Sequence, residues 1–225
     1  MVLHLHVHGG YPSYRESGCA WRQVDHSAAK LVKALKGIAF NGWADLPVPS
    51  GGTLRIRSND TAGAFRIFGE WGAQTLGRLY PQVPVLLVPV PASSCMAPAD
   101  DPKGLRLGSA IADRYALGSV VQALYWGQPM NKSAEGGTRN ANALFDSLAI
   151  VDGLEPRTVV LIDDVATTGG HLRACARRLR RSGHTVAHAL CAAQTVWDHP
   201  EDMWAIPSKD LELGDDVVIA LGGVL

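Results

Sequence analysis

The stretch VVLIDDVATTGGH, residues 159–171, joins a run of apolar residues to an adjacent pair of carboxylates and then to a turn of small and hydroxylated residues. An unbroken apolar run is typical of a strand that is buried on both faces of a parallel sheet. The continuation HLRACARRLRRSG has apolar residues at helical spacing and reaches a helix-ending glycine at Gly183. A buried strand, a turn and a helix in this order predict an α/β protein.

Similar segments lie on both sides of this stretch. PVLLVPVP, residues 84–91, and TVAHALCAA, residues 185–193, predict further buried strands, and GLRLGSAIADRYAL, residues 104–117, predicts a helix. GSVVQALYWG, residues 118–127, predicts one more short strand. The predicted fold is therefore a Rossmann-like parallel sheet with helices on both faces, in which right-handed crossovers join the strands.

The N-terminal segment VLHLHVH alternates apolar residues with His4, His6 and His8. This alternation predicts a strand that carries the three histidines on one face. We interpret that face as a solvated outer surface, and a row of metal ligands is the alternative.

The remaining N-terminal patterns are two helices and a short strand. HSAAKLVKALKG, residues 26–37, and TAGAFRIFGEWGAQTLGRLY, residues 61–80, predict helices, and TLRIRS, residues 53–58, predicts a strand. We interpret the aromatic side chains of the second helix as core packing, with a platform for a base as the alternative.

A chain of 225 residues fits one domain with one large core. We divide it into a core of about residues 61–197 and a small hood formed by material from residues 1–60 and 194–225. The function of residues 39–60 stays open.

Composition excludes several classes of partner. Lys plus Arg and Asp plus Glu each total 21, so the whole chain has no field that would steer it to a nucleic acid, and RRLRR on the last helix is interpreted as a solvated face. No long apolar segment predicts a membrane span. Four separated cysteines fit a reducing, cytoplasmic setting without a disulfide framework.

Asp163 and Asp164 stand where ligands bind in an open parallel sheet, at the carboxyl end of a strand. The turn that follows predicts an anion site, because amides at a helix start and the hydroxyls of Thr167 and Thr168 donate hydrogen bonds. A carboxylate pair beside an anion site fits a sugar phosphate, with the acids on hydroxyl groups or on a divalent cation. A plain strand exit before a capped helix is the alternative. The spacings of a P-loop and of a dinucleotide fold are absent from the sequence.

The residues quoted so far resemble a known family. VVLIDDVATTGGHLRACARRLRRSG is similar to the phosphoribosyl pyrophosphate (PRPP) binding signature of type I phosphoribosyltransferases, especially ComF-type members. VLLVPVP is similar to the strand before their pyrophosphate loop, and GTRNANALF resembles the ComF-type mobile loop, with Arg139, Asn140 and Phe145 at the matching positions. The likeness spans roughly residues 84–197 and implies the type I phosphoribosyltransferase fold with a hood.

The resemblance implies a role for each matching residue. Asp163 and Asp164 would bind the ribose hydroxyls, directly or through Mg²⁺. The other implied PRPP-binding positions are Ala166, Thr167, Thr168, Gly169, Gly170 and His171 in the phosphate loop, and Ala92, Ser93 and Ser94 in the pyrophosphate loop.

Three further residues have two interpretations each. Lys132 and Arg139 belong to the implied mobile loop and are candidate catalytic cations over the pyrophosphate, or solvated loop charges. Trp197 is a candidate base-stacking residue, or it closes the core.

The sequence also departs from the family pattern. His171 stands where the family has Thr or Ser, and Ala166 replaces a larger aliphatic residue. The segment PADDPKGLR is acidic where ComF-type members carry several arginines, and Lys103 and Arg106 are the nearest substitutes.

Two functions follow from the resemblance. The first is a glycosyltransferase of nucleotide metabolism that uses PRPP and Mg²⁺ to transfer phosphoribose to a nitrogenous acceptor, with release of pyrophosphate. The second is a non-catalytic regulatory protein that binds PRPP or a nucleotide. The expected partners are PRPP and a small-molecule base or nucleotide, with neither a membrane nor a nucleic acid, and a homodimer is compatible with the sequence.

Overall fold

The computed structural model describes residues 1–14, 18–128 and 140–214. Its strands are β1 (Val2–Pro12), β2 (Trp43–Pro47), β3 (Thr53–Arg57), β4 (Val85–Pro89), β5 (Gly118–Val120), β6 (Leu124–Trp126), β7 (Leu148–Ile150), β8 (Thr158–Ala166), β9 (Thr185–Val196) and β10 (Lys209–Glu212). Its helices are α1 (Gln23–Lys36), α2 (Ala62–Leu79), α3 (Pro102–Ala112), α4 (Ala141–Ser147) and α5 (Gly170–Arg181). Within these ranges, no helix is both long enough and apolar enough to cross a bilayer.

Six strands form the main sheet in the order β10-β1-β9-β8-β4-β5. Every neighbouring pair is parallel except β10 and β1, which are antiparallel. Two small antiparallel pairs, β2 with β3 and β6 with β7, lie outside this sheet. The predicted α/β class with a mostly parallel sheet is confirmed.

Helices cover both faces of the main sheet. Successive side chains of a strand point to opposite faces, so a buried strand contributes to a core on each side. On β8, Val159 and Leu161 belong to the core that packs on α4 and α5. Val160 and Ile162 belong to a second core, built with residues of α1, α2 and α3. All four side chains are fully buried, as the unbroken apolar run predicts.

Specific residues begin and end the helices around the site. Asp101 precedes α3 and accepts a hydrogen bond from the Gly104 amide, and Asn140 accepts hydrogen bonds from two amides at the start of α4. Gly37 ends α1 in the left-handed conformation, as the sequence predicts. These ends fix where each loop leaves its helix.

The interpretation of the N-terminal histidines as a solvated outer face is correct for His4 and wrong for His8. β1 lies inside the sheet between β10 and β9, and the face becomes progressively covered along the strand. His4 is exposed, His6 is half-buried, and His8 is buried between the rings of Trp71 and Trp204. Trp204 lies about 200 residues further along the chain, so the local alternation contained no sign of this cover.

The terminal segments contribute to the main sheet as β1 and β10, although the sequence division counts both among the hood material. The segment of residues 118–127 forms two strands instead of one, since β5 joins the main sheet and β6 pairs with β7. Core packing by the aromatic residues of α2 is confirmed for Phe65 and Phe68, which are both buried.

Candidate functional site

One cavity of about 600 Å³ opens at the carboxyl ends of β4, β8, β9 and β1. Its lining includes every described residue that the sequence nominated: Ala92, Ser93, Ser94, Asp163, Asp164, Ala166, Thr167, Thr168, Gly169, Gly170, His171 and Trp197. The candidates Lys132 and Arg139 lie outside the described residues. The strand ends therefore bring together nominated residues that are up to 105 positions apart in the chain, from Ala92 to Trp197.

The loop between β8 and α5 is fixed from the side of Arg173. The guanidinium donates hydrogen bonds to the carbonyl oxygens of Thr168, at 2.7 Å, and Gly169, at 3.4 Å. In a trans peptide the next amide points opposite to the carbonyl. The amides of Gly169 and Gly170 therefore point away from Arg173, as an anion-binding loop requires.

Gly169 lets the chain turn from this loop into α5. Its φ of +76° lies in the left-handed region that favours glycine, and a Cβ there would come within 2.7 Å of the Leu211 side chain. Glycine at this position therefore allows both the turn and the close approach of β10.

Asp164 is a buried carboxylate that two lysines neutralise. Its side chain is 7% exposed, and its Oδ2 accepts a hydrogen bond from Lys103 Nζ at 2.8 Å. Lys36 Nζ lies 3.4 Å from Oδ1. Burial lowers the pKa of Lys103, but the charge and hydrogen bond of Asp164 outweigh burial, so the pKa is raised.

Asp163 is adjacent in the strand, and its Oδ1 accepts a hydrogen bond from the Asp164 amide at 2.7 Å. Burial and the negative charge of Asp164 raise the pKa of Asp163 to about 7. Burial, followed by the charge of Asp163, also raises the pKa values of Cys175 and Cys191. The two carboxyl groups therefore differ. Asp164 is paired with two cations, whereas the pKa of Asp163 is raised.

The segment after β4 is held by hydrogen bonds to its backbone. The Ala92 amide donates to Asp101 Oδ2 at 2.9 Å, and the Ala92 carbonyl accepts from Trp126 Nε1 at 2.9 Å. Both backbone groups of Ala92 thus have protein partners. Ser93 and Ser94 line the cavity and are the polar groups of this loop that a ligand can meet.

The opposite end of the cavity is formed by the ends of β1 and β9. Tyr11 and Thr195 are partners in the sheet, and Thr195 Oγ1 lies 3.1 Å from Thr167 Oγ1 in the loop between β8 and α5. Trp197 is 57% exposed at this end, which contradicts the alternative that it closes the core. His171 also lines the cavity, with its ring edge-on to Trp126.

Sequence reasoning did not nominate Lys36, or the wall formed by Tyr11, Ser13, Ile38 and Thr195. Lys103 was named only as a substitute cation. A local signal existed for Tyr11 and Ser13, which follow the strand of the histidines, but the placement of that strand beside β9 is a long-range pairing. The end of α1 gave no sign that Lys36 reaches Asp164.

The carboxylates of the site fit a metal ion that is bound partly by the protein and partly by a ligand. Among the described residues, no three His, Cys, Asp or Glu side chains converge on a common point that could hold a metal ion. Mg²⁺ is usually bound by one or two carboxylates together with water and substrate phosphates. Asp163 and Asp164 supply those carboxylates. Burial, followed by the charge of Asp164, raises the pKa of Asp163, and a bound cation would favour its charged form.

Comparison with known proteins gives a partial sequence match. No family model matches the chain. A stretch of 92 residues, 40% of this chain, is 40% identical to adenine phosphoribosyltransferase from Mycobacterium sp. (strain KMS). The corresponding proteins of strains JLS and MCS match equally. The match covers 52% of each relative, so the chain spans about half the length of the curated relatives it matches.

Solved structures of phosphoribosyltransferases are also similar to this chain. Orotate phosphoribosyltransferase from Aeropyrum pernix is 19% identical, with a TM-score of 0.38, over 72% of this chain and 79% of that chain. Adenine phosphoribosyltransferase from Trypanosoma brucei, solved with AMP, pyrophosphate and ribose-5-phosphate, is 14% identical, with a TM-score of 0.41, over 74% of this chain and 78% of that chain.

Proposed function

We propose that the protein is a type I phosphoribosyltransferase that transfers phosphoribose from PRPP to a nitrogenous acceptor and releases pyrophosphate. One observation carries the proposal: a single cavity unites the Asp163–Asp164 pair with the amide loop that opens α5. The 92-residue similarity to adenine phosphoribosyltransferases supports the same class.

The proposed binding mode uses each end of that arrangement. The ribose hydroxyls lie against Asp163 and Asp164, and the 5-phosphate accepts hydrogen bonds from the amides and hydroxyls of residues 166–171. The pyrophosphate lies toward Ser93 and Ser94. Since the phosphate and diol hold the sugar at two points, catalysis rests on orientation and electrostatics and needs no nucleophilic side chain.

Among the residues that the structure describes, Lys103 is a cation placed to stabilise the leaving group. It extends from the start of α3, whose N-cap Asp101 also binds the Ala92 amide. Negative charge grows on the departing oxygen as the bond to the sugar breaks, and a nearby ammonium stabilises it. When bound, Mg²⁺ would neutralise part of the pyrophosphate charge, with Asp163 and Asp164 as its protein ligands.

The ComF-type relationship is a finer part of the proposal. It is supported by the sequence resemblance of the segment that holds Asn140 and Phe145, where Asn140 caps α4 and Phe145 is buried. We also propose a cytoplasmic setting, which the four free cysteines support. A homodimer is retained as a proposal for the assembly.

A second candidate is a regulatory protein that binds PRPP or a nucleotide without turnover. The observation that favours it is the state of the two ligand groups: Asp164 is engaged by two lysines, and the Ala92 amide is engaged by Asp101. A ligand that binds Asp164 must displace the lysines from its carboxylate. The same ligand cannot accept a hydrogen bond from the Ala92 amide while that amide is bound to Asp101.

The deciding experiment incubates the full chain with PRPP, Mg²⁺ and a panel of bases and measures pyrophosphate. Release that depends on a base supports the transferase, whereas saturable PRPP binding without release supports the sensor. Asp164→Asn should abolish ribose 5-phosphate binding, and Asp152→Asn, an exposed turn residue, is the matched control. Wild-type affinity in Asp164→Asn would contradict the site.

A further inference from the structure

The two lysines that hold Asp164 reach it from opposite ends of the cavity. Lys103 belongs to α3, which packs on β4, β5 and β8. Lys36 is the last residue of α1, which packs on β1 and β8. Because β4 and β1 lie on opposite sides of β8 in the sheet, one cation marks the pyrophosphate-loop end and the other marks the β1–β9 end.

Displacement chemistry gives these ends different roles. In a substitution at the anomeric carbon, the entering nitrogen and the leaving oxygen must be aligned on opposite sides of that carbon. If pyrophosphate leaves toward Ser93 and Ser94, the acceptor enters from the β1–β9 end. Within the described part of the chain, the residues that line this end are Tyr11, Ser13, Lys36, Ile38, Thr195 and Trp197.

The side-chain charge at the β1–β9 end of the cavity is positive. Lys36 is the charged side chain among those lining residues, and apart from the central aspartates the cavity has no carboxylate among its described lining. When the ribose hydroxyls donate to Asp164, they compete with the Lys36 ammonium for that carboxylate, and this ammonium, 35% exposed, is then available to an anionic group at the same end of the cavity. Trp197 lines the same cavity as Lys36, and its exposed ring offers a face to a planar ligand.

We infer that the acceptor is a planar heterocycle that carries a negative charge, either as a carboxylate substituent or as a deprotonated ring, and that Lys36 binds this charge. The inference rests on the proposed transferase function and specifies its substrate class. A neutral aminopurine leaves the Lys36 ammonium without an anionic partner at this end.

The bond changes balance without a protein base at the acceptor end. The nitrogen lone pair forms the new bond to the anomeric carbon, and the bond to pyrophosphate breaks with its electron pair on the leaving oxygen. A ring that enters as its anion has no proton to lose at that nitrogen, and neither has a pyridine-type nitrogen. An N–H acceptor such as orotate gives its proton to water or to an oxygen of the departing pyrophosphate. This matches an acceptor end whose described lining holds no carboxylate or imidazole.

The test compares acceptors and variants in the full chain. PRPP binding is measured first by calorimetry, and pyrophosphate release is then measured with PRPP, Mg²⁺ and either orotate, nicotinate, quinolinate, adenine or hypoxanthine. The variants are Lys36→Met and Lys36→Arg, and Lys33→Met in the same helix turn is the matched control. Circular dichroism of each variant confirms folding before kinetics.

At least one anionic acceptor should support release and be preferred to adenine. Lys36→Met should raise its KM about tenfold or more, the effect of losing one charged hydrogen bond, and Lys36→Arg should restore most of the loss. The KM for the acceptor should change more than the Kd for PRPP. Activity with adenine alone, PRPP binding without use of any anionic acceptor, or an equal KM in Lys36→Met overturns the inference and leaves PRPP binding standing. Absence of PRPP binding in the wild type, or PRPP binding without release with any of the five acceptors, overturns the proposed transferase function itself.

Discussion

Lys103 Nζ and Asp164 Oδ2 lie 2.8 Å apart, although 61 positions separate the two residues in the sequence. The contact joins the start of α3 to the carboxyl end of β8 and so connects the side of the cavity that we propose for pyrophosphate to the side that we propose for ribose. A buried carboxylate needs such a partner, because an unpaired buried charge costs several kcal/mol. The same ammonium is the group we assign to the leaving pyrophosphate.

Replacing Lys103 by Met should destabilise the protein. Loss of one partner leaves the Asp164 carboxylate with Lys36 alone, and because the Lys103 side chain is 39% exposed we expect a cost of about 1–2 kcal/mol, below that of a fully buried pair. Urea denaturation measures the difference, with the exposed Lys209→Met on β10 as control. A Lys103→Met variant that is more stable than the wild type would show that the pair costs more than it contributes.

Arg173 should contribute to phosphate affinity without contacting the phosphate. Arg173→Met removes the two hydrogen bonds that hold the carbonyls of Thr168 and Gly169, so the loop amides lose their fixed direction. We expect ribose 5-phosphate to bind about three- to tenfold more weakly, the equivalent of roughly 1 kcal/mol. Calorimetric titration measures this affinity, and Arg181→Met at the other end of α5 is the control. Equal losses in both variants would indicate a general charge effect.

The local parts of the site were predictable because they follow from consecutive residues. A buried strand, Asp163 and Asp164 at its end, and the glycine turn into a helix all lie within thirteen positions, residues 159–171. Periodicity and the chemistry of helix starts suffice to place these groups together.

The other wall of the cavity was not predictable, because it depends on strand order. Tyr11 lies near Thr195 only because β1 inserts between β9 and β10, and alternation within β1 does not specify its neighbours. The same long-range pairing buries His8 under Trp204, which overturned the solvated-face interpretation for this residue. Lys36 and Ile38 enter the site because α1 ends there, a position set by packing on β1 and β8.

In metal-free buffer, Asp163 should make the protein less stable as the pH rises. Its native pKa of about 7 lies above the ordinary value of 3.8, so between these pH values the native state binds a proton that the unfolded state has released. The resulting stabilisation is full below about pH 3.8 and is lost as the pH rises through 7. Asp163→Asn should remove this component, which thermal melts at a series of pH values measure. An unchanged pH slope in Asp163→Asn would contradict the raised pKa.

His8 should make the protein less stable as the pH falls, the opposite of the effect of Asp163. Burial between two indole rings lowers its pKa from 6.5 to about 4, so between these values the unfolded state binds the extra proton. Stability should therefore fall as the pH drops from about 6.5 towards 4, by up to about 3 kcal/mol for this residue. His8→Phe should flatten that part of the curve, whereas His4→Gln replaces an exposed imidazole on the same strand. An equal slope in wild type and His8→Phe would argue that His8 is solvated.

Loss of Asp25 should destabilise the part of the cavity wall that carries Trp197. Its carboxylate is fully buried and accepts hydrogen bonds from the amide and guanidinium of Arg22, which in turn donates to the Pro200 carbonyl. Burial raises the pKa of Asp25, but the hydrogen bonds of Arg22 and Tyr14 outweigh burial, so the pKa is lowered. The contribution of Asp25 to stability is therefore present above the ordinary value of 3.8 and is lost as the pH falls further.

Asp25→Ala leaves the Arg22 charge without its partner at the junction of the segment before α1 and the segment after β9. Because the Arg22 side chain that remains is 36% exposed, we expect a loss of about 1–2 kcal/mol in the free energy of unfolding, below that of a fully buried pair. Asp45→Ala is the matched control, because both side chains of its bidentate contact with Arg55 are exposed and the contact should contribute little to stability. Urea denaturation at pH 7 compares the two variants, and Trp fluorescence reports whether the surroundings of Trp197 change. Similar losses in both variants would mean that burial of Asp25 adds nothing to the pair, and that the two segments are held together by apolar packing instead.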